Sequence, residues 1–258
     1  MDSALFDNSK AAYNVFKNNM DLFFNPEIER RKQLNTLPEN FVLFAAQAIF
    51  FPDGRPYIVR LNEEVSVEVK LKEGINRTHS SFWPELKEVE YVKLNEKDFS
   101  NCGHSTLILF KDGYQLTFDF RYNKLLCIEY LKVAKEFLDA SNFTLDKNYV
   151  FAFIDNAFST IELLAKTDLL LQANKSILGK TSHKIISTEF NYRYKHSKSD
   201  FEIERRKAFN KLSGIRTKAR YLEGNVSIAS KELLSIKNTI EHMYILLCDR
   251  LEFDSQIN

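Results

Sequence analysis

Residues 150–168 read VFAFIDNAFSTIELLAKTD. Within them Val150, Phe153, Ile154, Ala157, Phe158, Ile161, Leu164, Ala165 and Asp168 step by three and four. That period predicts an α-helix with one broad apolar face, on which Asp168 is the only polar member. A face this wide suits the interior of a helical bundle. On the other side Glu162 and Lys166 lie one turn apart, spaced to pair for roughly 0.2–0.5 kcal/mol.

Toward the C-terminus the rhythm continues. Ala208, Leu212, Ile215, Ala219 and Leu222 form one seam, and Ala229, Leu233, Ile236, Ile240, Met243 and Leu247 form another. Gly224-Asn225 between them supplies a helix stop. Such seams pack at the shallow angle of antiparallel bundles. Residues 124–258 are therefore expected to form a helical domain.

Toward the N-terminus the pattern changes. Phe16, Met20, Phe23 and Phe24 recur at helical spacing within Ala12–Phe24, but Val65, Val67, Val69 and Leu71 alternate with polar residues, as in a half-exposed strand. Leu116, Phe118 and Phe120 alternate likewise. Lys111-Asp112-Gly113 offers turn chemistry, so 106–110 and 114–120 are predicted to be a hairpin. Pro52-Asp53-Gly54-Arg55-Pro56 is a second turn, joining Phe41–Phe51 to Tyr57–Leu61. Residues 1–123 thus read as a small antiparallel sheet with short helices against one face, and the whole chain as α+β.

The formal net charge of +1 selects no partner by bulk electrostatics. The distribution is uneven: residues 175–220 carry 13 Lys and Arg against 4 Asp and Glu. Cys102, Cys127 and Cys248 are odd in number and far apart, which gives no disulfide framework. Cys102-Gly103-His104 with His79 lacks a second ligand pair, so no metal site and no cofactor are expected. Neither a phosphate-cradling glycine loop nor a Ser or Cys nucleophile motif is present. Met1-Asp2-Ser3 does not open a basic-then-apolar leader, and no apolar run approaches the roughly 20 residues that cross a bilayer. The expected compartment is the cytoplasm, with no membrane partner.

Two stretches carry possible chemistry. One helix ends Ile215-Arg216-Thr217-Lys218-Ala219-Arg220-Tyr221, and the next carries Lys237-Asn238-Thr239-Ile240-Glu241-His242. Together with residues 153–166, with Thr181-Ser182-His183, and with the Arg-Tyr end of residues 212–221, they make residues 124–250 resemble the HEPN superfamily (higher eukaryotes and prokaryotes nucleotide-binding domains). The resemblance implies a four- or five-helix bundle that forms a homodimer. Catalytic members are similar to metal-free ribonucleases, in which an Arg neutralises the scissile phosphate and a His moves the ribose proton. Imidazole titrates near neutrality and guanidinium forks onto phosphate oxygens, so those residue types suit the task.

This chain departs from that pair twice. Arg216 is followed five positions on by Tyr221, whose ordinary pKa of about 10 makes it a poor base. Lys237, Asn238 and His242 keep the base and a neighbouring orienter but offer Lys as the phosphate clamp. Separately, Arg193, Lys195, Arg205 and Arg206 interleave with Tyr192 and Tyr194, a composition suited to a phosphate backbone with stacked bases.

Three functions follow as expectations. The first is a HEPN-like protein with a degenerate motif that binds RNA or a protein partner, in the prokaryotic defence or toxin–antitoxin setting that the resemblance implies. The second is a divergent metal-free endoribonuclease using Lys237, Asn238 and His242. The third is a structural adaptor whose residues 1–123 dock another protein, for which an exposed apolar patch on that half would speak.

Overall fold

Pro26 shapes the first element. Helix α1 (Asn8–Asn19) runs into a π-helical turn (Met20–Phe24) and then α2 (Asn25–Gln33), with Pro26 in the first turn of α2. Proline has no N–H to donate and its ring crowds the carbonyl four residues back, so the ladder widens locally. This computed structural model describes residues 8–75, 84–95, 100–179, 182–221 and 228–252. It divides between Phe120 and Arg121 into two units.

Among its described residues the first unit has six strands: β1 (Ala45–Phe50), β2 (Ile58–Leu61), β3 (Val67–Leu71), β4 (Val89–Leu94), β5 (Gly103–Leu109) and β6 (Tyr114–Asp119). Four form an antiparallel sheet in the order β2-β1-β5-β6, and β3-β4 make a separate two-stranded ribbon. The two expected turns join β1 to β2 and β5 to β6. Gly54 at φ 73 closes the first, and the Phe110 N–H donates to the Gly113 carbonyl at 2.7 Å in the second. Side chains alternate across the sheet. Ala46, Ala48 and Leu107 pack with Phe24 and Ile28 on the helical side. Ala45 and Ile108 pack with Val65, Val89 and Phe110 on the other. Helices on one face were expected, and the ribbon cluster covers the second face as well. With both faces covered, β1 is buried at five consecutive positions rather than at every other one.

Strand β4 shows no alternation in the sequence because its ladder is bulged. Lys70 pairs with Tyr91 but Leu71 pairs with Val89, so Glu90 is left over and the side-chain phase resets.

The second unit holds α3 (Lys124–Asp146), α4 (Val150–Leu171), α5 (His183–Arg193), α6 (Asp200–Tyr221) and α7 (Ser230–Leu251). Asn148, at φ 59, makes the tight reversal from α3 into α4, a conformation Asn tolerates better than most residues. Helix α4 is the hub and packs against α3, α5, α6 and α7. Its predicted face is buried apart from half-buried Val150, and beyond it so are Thr160, Thr167 and Leu169–Leu171. The two threonines satisfy their hydroxyls by donating to the carbonyls of Asn156 and Leu163, both at 2.9 Å. Seam residues Ala208, Leu212 and Ala219 of α6 are buried, as are Leu233, Ile236, Ile240, Met243 and Leu247 of α7. Gly224-Asn225 and Leu222 lie outside the described residues. The Glu162–Lys166 pair gives way to longer-range partners: Glu162 takes His183, and Lys166 lies 4.6 Å over the Tyr130 ring.

Candidate functional site

The α7 trio separates in space. Asn238 and His242 line a shallow groove of about 490 Å³ against the start of α6, where Phe201 lies with its ring centroid 4.2 Å from that of His242. Asp200, Glu204 and Lys231 share the groove, and Glu204 pairs with Lys207 at 2.9 Å. Lys237 does not line it. Its ammonium lies 3.8 Å from Glu241, whose carboxylate also accepts a 2.8 Å hydrogen bond from Asn142 of α3. The expected clamp, orienter and base therefore do not converge within one chain. The charges around the imidazole are close to balanced, so the groove does not concentrate phosphate.

Arg216 and Tyr221 also have separate surroundings. Arg216 donates from Nε to Asp155 of α4 at 3.0 Å, and its guanidinium carbon sits 4.5 Å over the Phe158 ring. Tyr221, the last residue of α6, is 64% exposed. The residues that do meet were not singled out as a set. Asp155, Phe158 and Glu162 lie one turn apart along α4. Arg216 binds Asp155, and His183 at the start of α5 binds Glu162 through Nδ1. The His183 ring centroid is 6.0 Å from that of Phe158, so an arginine and an imidazole share one aromatic ring. The three-and-four spacing on α4 was the available signal. Arg220 adds a further contact at 3.9 Å from Asp155, so two guanidiniums share one carboxylate and His183 takes the other. The strip is close to neutral and does not gather anions.

The basic segment splits between surface and core. Tyr192 is 78% exposed, and Arg193 and Lys195 are exposed beside it at the end of α5. Arg206 is half-buried and donates to the Tyr194 carbonyl at 3.0 Å, which caps α5. Tyr194 and Arg205, grouped above with the nucleic-acid contacts, are instead buried in the helical unit. Fully buried Asp168 draws them in: an ionised carboxylate inside the bundle must be paired. The Tyr194 hydroxyl donates to one Asp168 oxygen, and Arg205 lies 3.5 Å from the same atom. Arg250 donates to the other at 2.9 Å, as does the Gln172 amide at 3.2 Å. The Arg205 guanidinium also stacks 3.8 Å over the Tyr194 ring. Burial, and then the neighbouring Asp168 charge, push the Tyr194 hydroxyl pKa up.

Among the described residues no group of three or more His, Cys, Asp or Glu side chains could hold a metal ion, and His79 lies outside them. His104 is buried in β5, with Nδ1 3.1 Å from the Thr106 hydroxyl. No described helix is long and apolar enough to cross a membrane. Comparison of the chain with protein-family models, with curated proteins and with solved structures gives no match.

Proposed function

We propose that this protein acts by binding and not by hydrolysis. In this reading it is a HEPN-like helical unit without a working acid–base pair, in one chain with a β-rich unit. The observation that carries the reading is the separate placement of the charged and basic candidates: Arg216 with Asp155, Lys237 with Glu241, and His242 in a groove that neither of them lines. Five α-helices among the described residues and the buried α6 and α7 seams suit the resemblance. The surface offered to RNA is the exposed end of α5, where Tyr192 supplies a stacking face and Arg193, Lys195 and Lys198 supply charge. A homodimer belongs to the same reading. Exposed Leu126 and Val133, two turns apart on α3, give it an apolar stripe. Three unpaired cysteines suit a reducing compartment such as the cytoplasm.

The test is fluorescence anisotropy of a labelled single-stranded RNA at several salt concentrations. Wild-type protein is expected to bind with a salt-dependent affinity, and Tyr192→Ala combined with Arg193→Glu to weaken it roughly tenfold or more. Equal affinity in both proteins would remove this surface from the account.

A second reading, the adaptor, gains support from the first unit. Gly103 stands opposite Phe50 in the sheet and, one position past the His104–Asp119 pair, opposite Phe120. With no side chain between them, the two rings meet at 5.7 Å. Phe23, Tyr57 and Phe118 extend the contact series, and Tyr57, Phe118 and Phe120 are 42%, 59% and 52% exposed. Contiguous exposed aromatics of this kind mark protein-docking surfaces. Loss of a co-purifying protein on Phe118→Ser/Phe120→Ser would favour this reading, and retention would count against it.

A further inference from the structure

The two edges of the four-stranded sheet differ. On β2 the outward backbone groups belong to Val59 and Leu61, and side chains have taken them. The Val59 carbonyl accepts from Arg31 at 2.9 Å, and the Leu61 N–H donates to Glu64 at 3.0 Å. Arg31 and Glu64 are themselves joined at 2.7 Å, so an ion pair closes that edge. The strand is also only four residues long and follows Pro56. Short strands, proline and charge are the usual protection of a sheet edge.

Strand β6, at the other edge, has none of these. It is six residues long, keeps unbroken register with β5, and carries no charge and no proline from Tyr114 to Phe118. The phase of the ladder fixes which groups face outward. The Leu109 N–H donates to Phe44 on the β1 side, and the hairpin closes on Phe110 and Gly113. Gln115, Thr117 and Asp119 therefore turn their backbone groups toward β5, while Tyr114, Leu116 and Phe118 turn theirs away. Among the described residues no hydrogen bond reaches the outward groups of those three. Their side chains share one face of the sheet with Phe120. Tyr114 packs on Phe16, Leu116 joins the helical-side cluster, and exposed Phe118 and Phe120 stack on each other. Gln115, Thr117 and Asp119 occupy the opposite face.

An open row of N–H and C=O groups is completed by another strand, and this row complements itself. We propose that β6 pairs antiparallel with β6 of a second copy of this chain, about a twofold axis at Thr117. Thr117 then meets the partner's Thr117, Leu116 meets the partner's Phe118, Tyr114 the partner's Phe120, and Gln115 the partner's Asp119. Apolar faces apolar on one side of the sheet and polar faces polar on the other, with no like charges opposed. An axis at Leu116 would instead set Phe120 opposite the partner's Asp112. The pairing joins two four-stranded sheets into one of eight strands. It rests neither on the RNA reading nor on the α3 stripe, and it gives Phe118 and Phe120 to a second copy in place of a foreign partner.

Sedimentation equilibrium of the full chain tests it. Wild type is expected to self-associate with a Kd on the order of 10 μM, as suits a small interface. Thr117→Lys and Thr117→Glu each oppose like charges across the axis and should each halve the assembled mass, with an unchanged circular dichroism spectrum confirming the fold. Mixing the two variants sets opposite charges together and should restore the mass. Thr117→Cys, oxidised with copper phenanthroline, should form a disulfide between the two introduced thiols, because facing residues of a non-hydrogen-bonded pair lie about 4.5 Å apart at Cα. Retention of the wild-type mass by both charged variants overturns the proposal, and so does absence of that disulfide. A wild-type chain that stays monomeric a decade above that Kd overturns it too, and leaves the edge to a strand of another protein.

Discussion

Arg216 and Asp155 meet at 3.0 Å between α6 and α4, with the guanidinium also lying over the Phe158 ring. Their side chains are 21% and 33% exposed, so the pair is partly screened and acts as a clasp between helices. A double-mutant cycle with Arg216→Ala and Asp155→Ala should give a coupling of about 1 kcal/mol in urea unfolding. No coupling would mean the arginine is available for another partner.

Asp168 is the most heavily committed charge in the helical unit. Asp168→Asn keeps its shape but leaves buried Arg205 with only the part-exposed Glu202, 3.5 Å away, as counter-charge, which costs about 2–3 kcal/mol. Arg250, 45% exposed, can turn its charge to water, so Arg250→Ala should cost about 1 kcal/mol or less. Similar losses for the two variants would show that Arg205 does not depend on the carboxylate.

Much of this cluster was foreshadowed in the sequence, but not its meaning. The three-and-four rhythm put Asp168 on the apolar face, and the structure buries it there. Its partners Arg250 and Tyr194 lie 82 and 26 residues away in the chain, a pairing that no local period encodes. Tyr194 and Arg205 accordingly read as surface members of a basic run, when one buried carboxylate had turned both inward. In the first unit the hairpins were legible from alternation and turn residues. Strand β4 was not, because its bulge at Glu90 scrambles the alternation.

Glu27 gives the first unit an acid-sensitive element. The hydrogen bond from Arg30 is the largest influence, and with Arg31 it outweighs desolvation, so the carboxyl falls from its ordinary 4.5 to about 2. A depressed pKa contributes stability above the ordinary value and loses it as pH falls through the folded one. Thermal melts of wild type and Glu27→Gln should differ by on the order of 1 kcal/mol at neutral pH, after discounting for solvent screening. That gap should close between about pH 4.5 and 2. A gap independent of pH would contradict the assignment.

The three cysteines should differ in reactivity. Burial pushes the Cys127 thiol up to about 12, with Asp168 adding to the shift, and burial raises Cys248 too. Cys102 is only partly buried. Native protein treated with iodoacetamide should be modified at Cys102, and at the other two only after unfolding. Labelling of native Cys127 ahead of Cys102 would show that the bundle opens at α3.

The central claim is that the helical unit lacks a functioning acid–base pair for phosphodiesters. Incubation of metal-free purified protein with structured and single-stranded RNA, beside His242→Ala, His183→Ala and Arg216→Ala, tests it most directly. The account predicts no cleavage above the buffer rate in any of the four. Cleavage by wild type that disappears in any one of the three variants would contradict it.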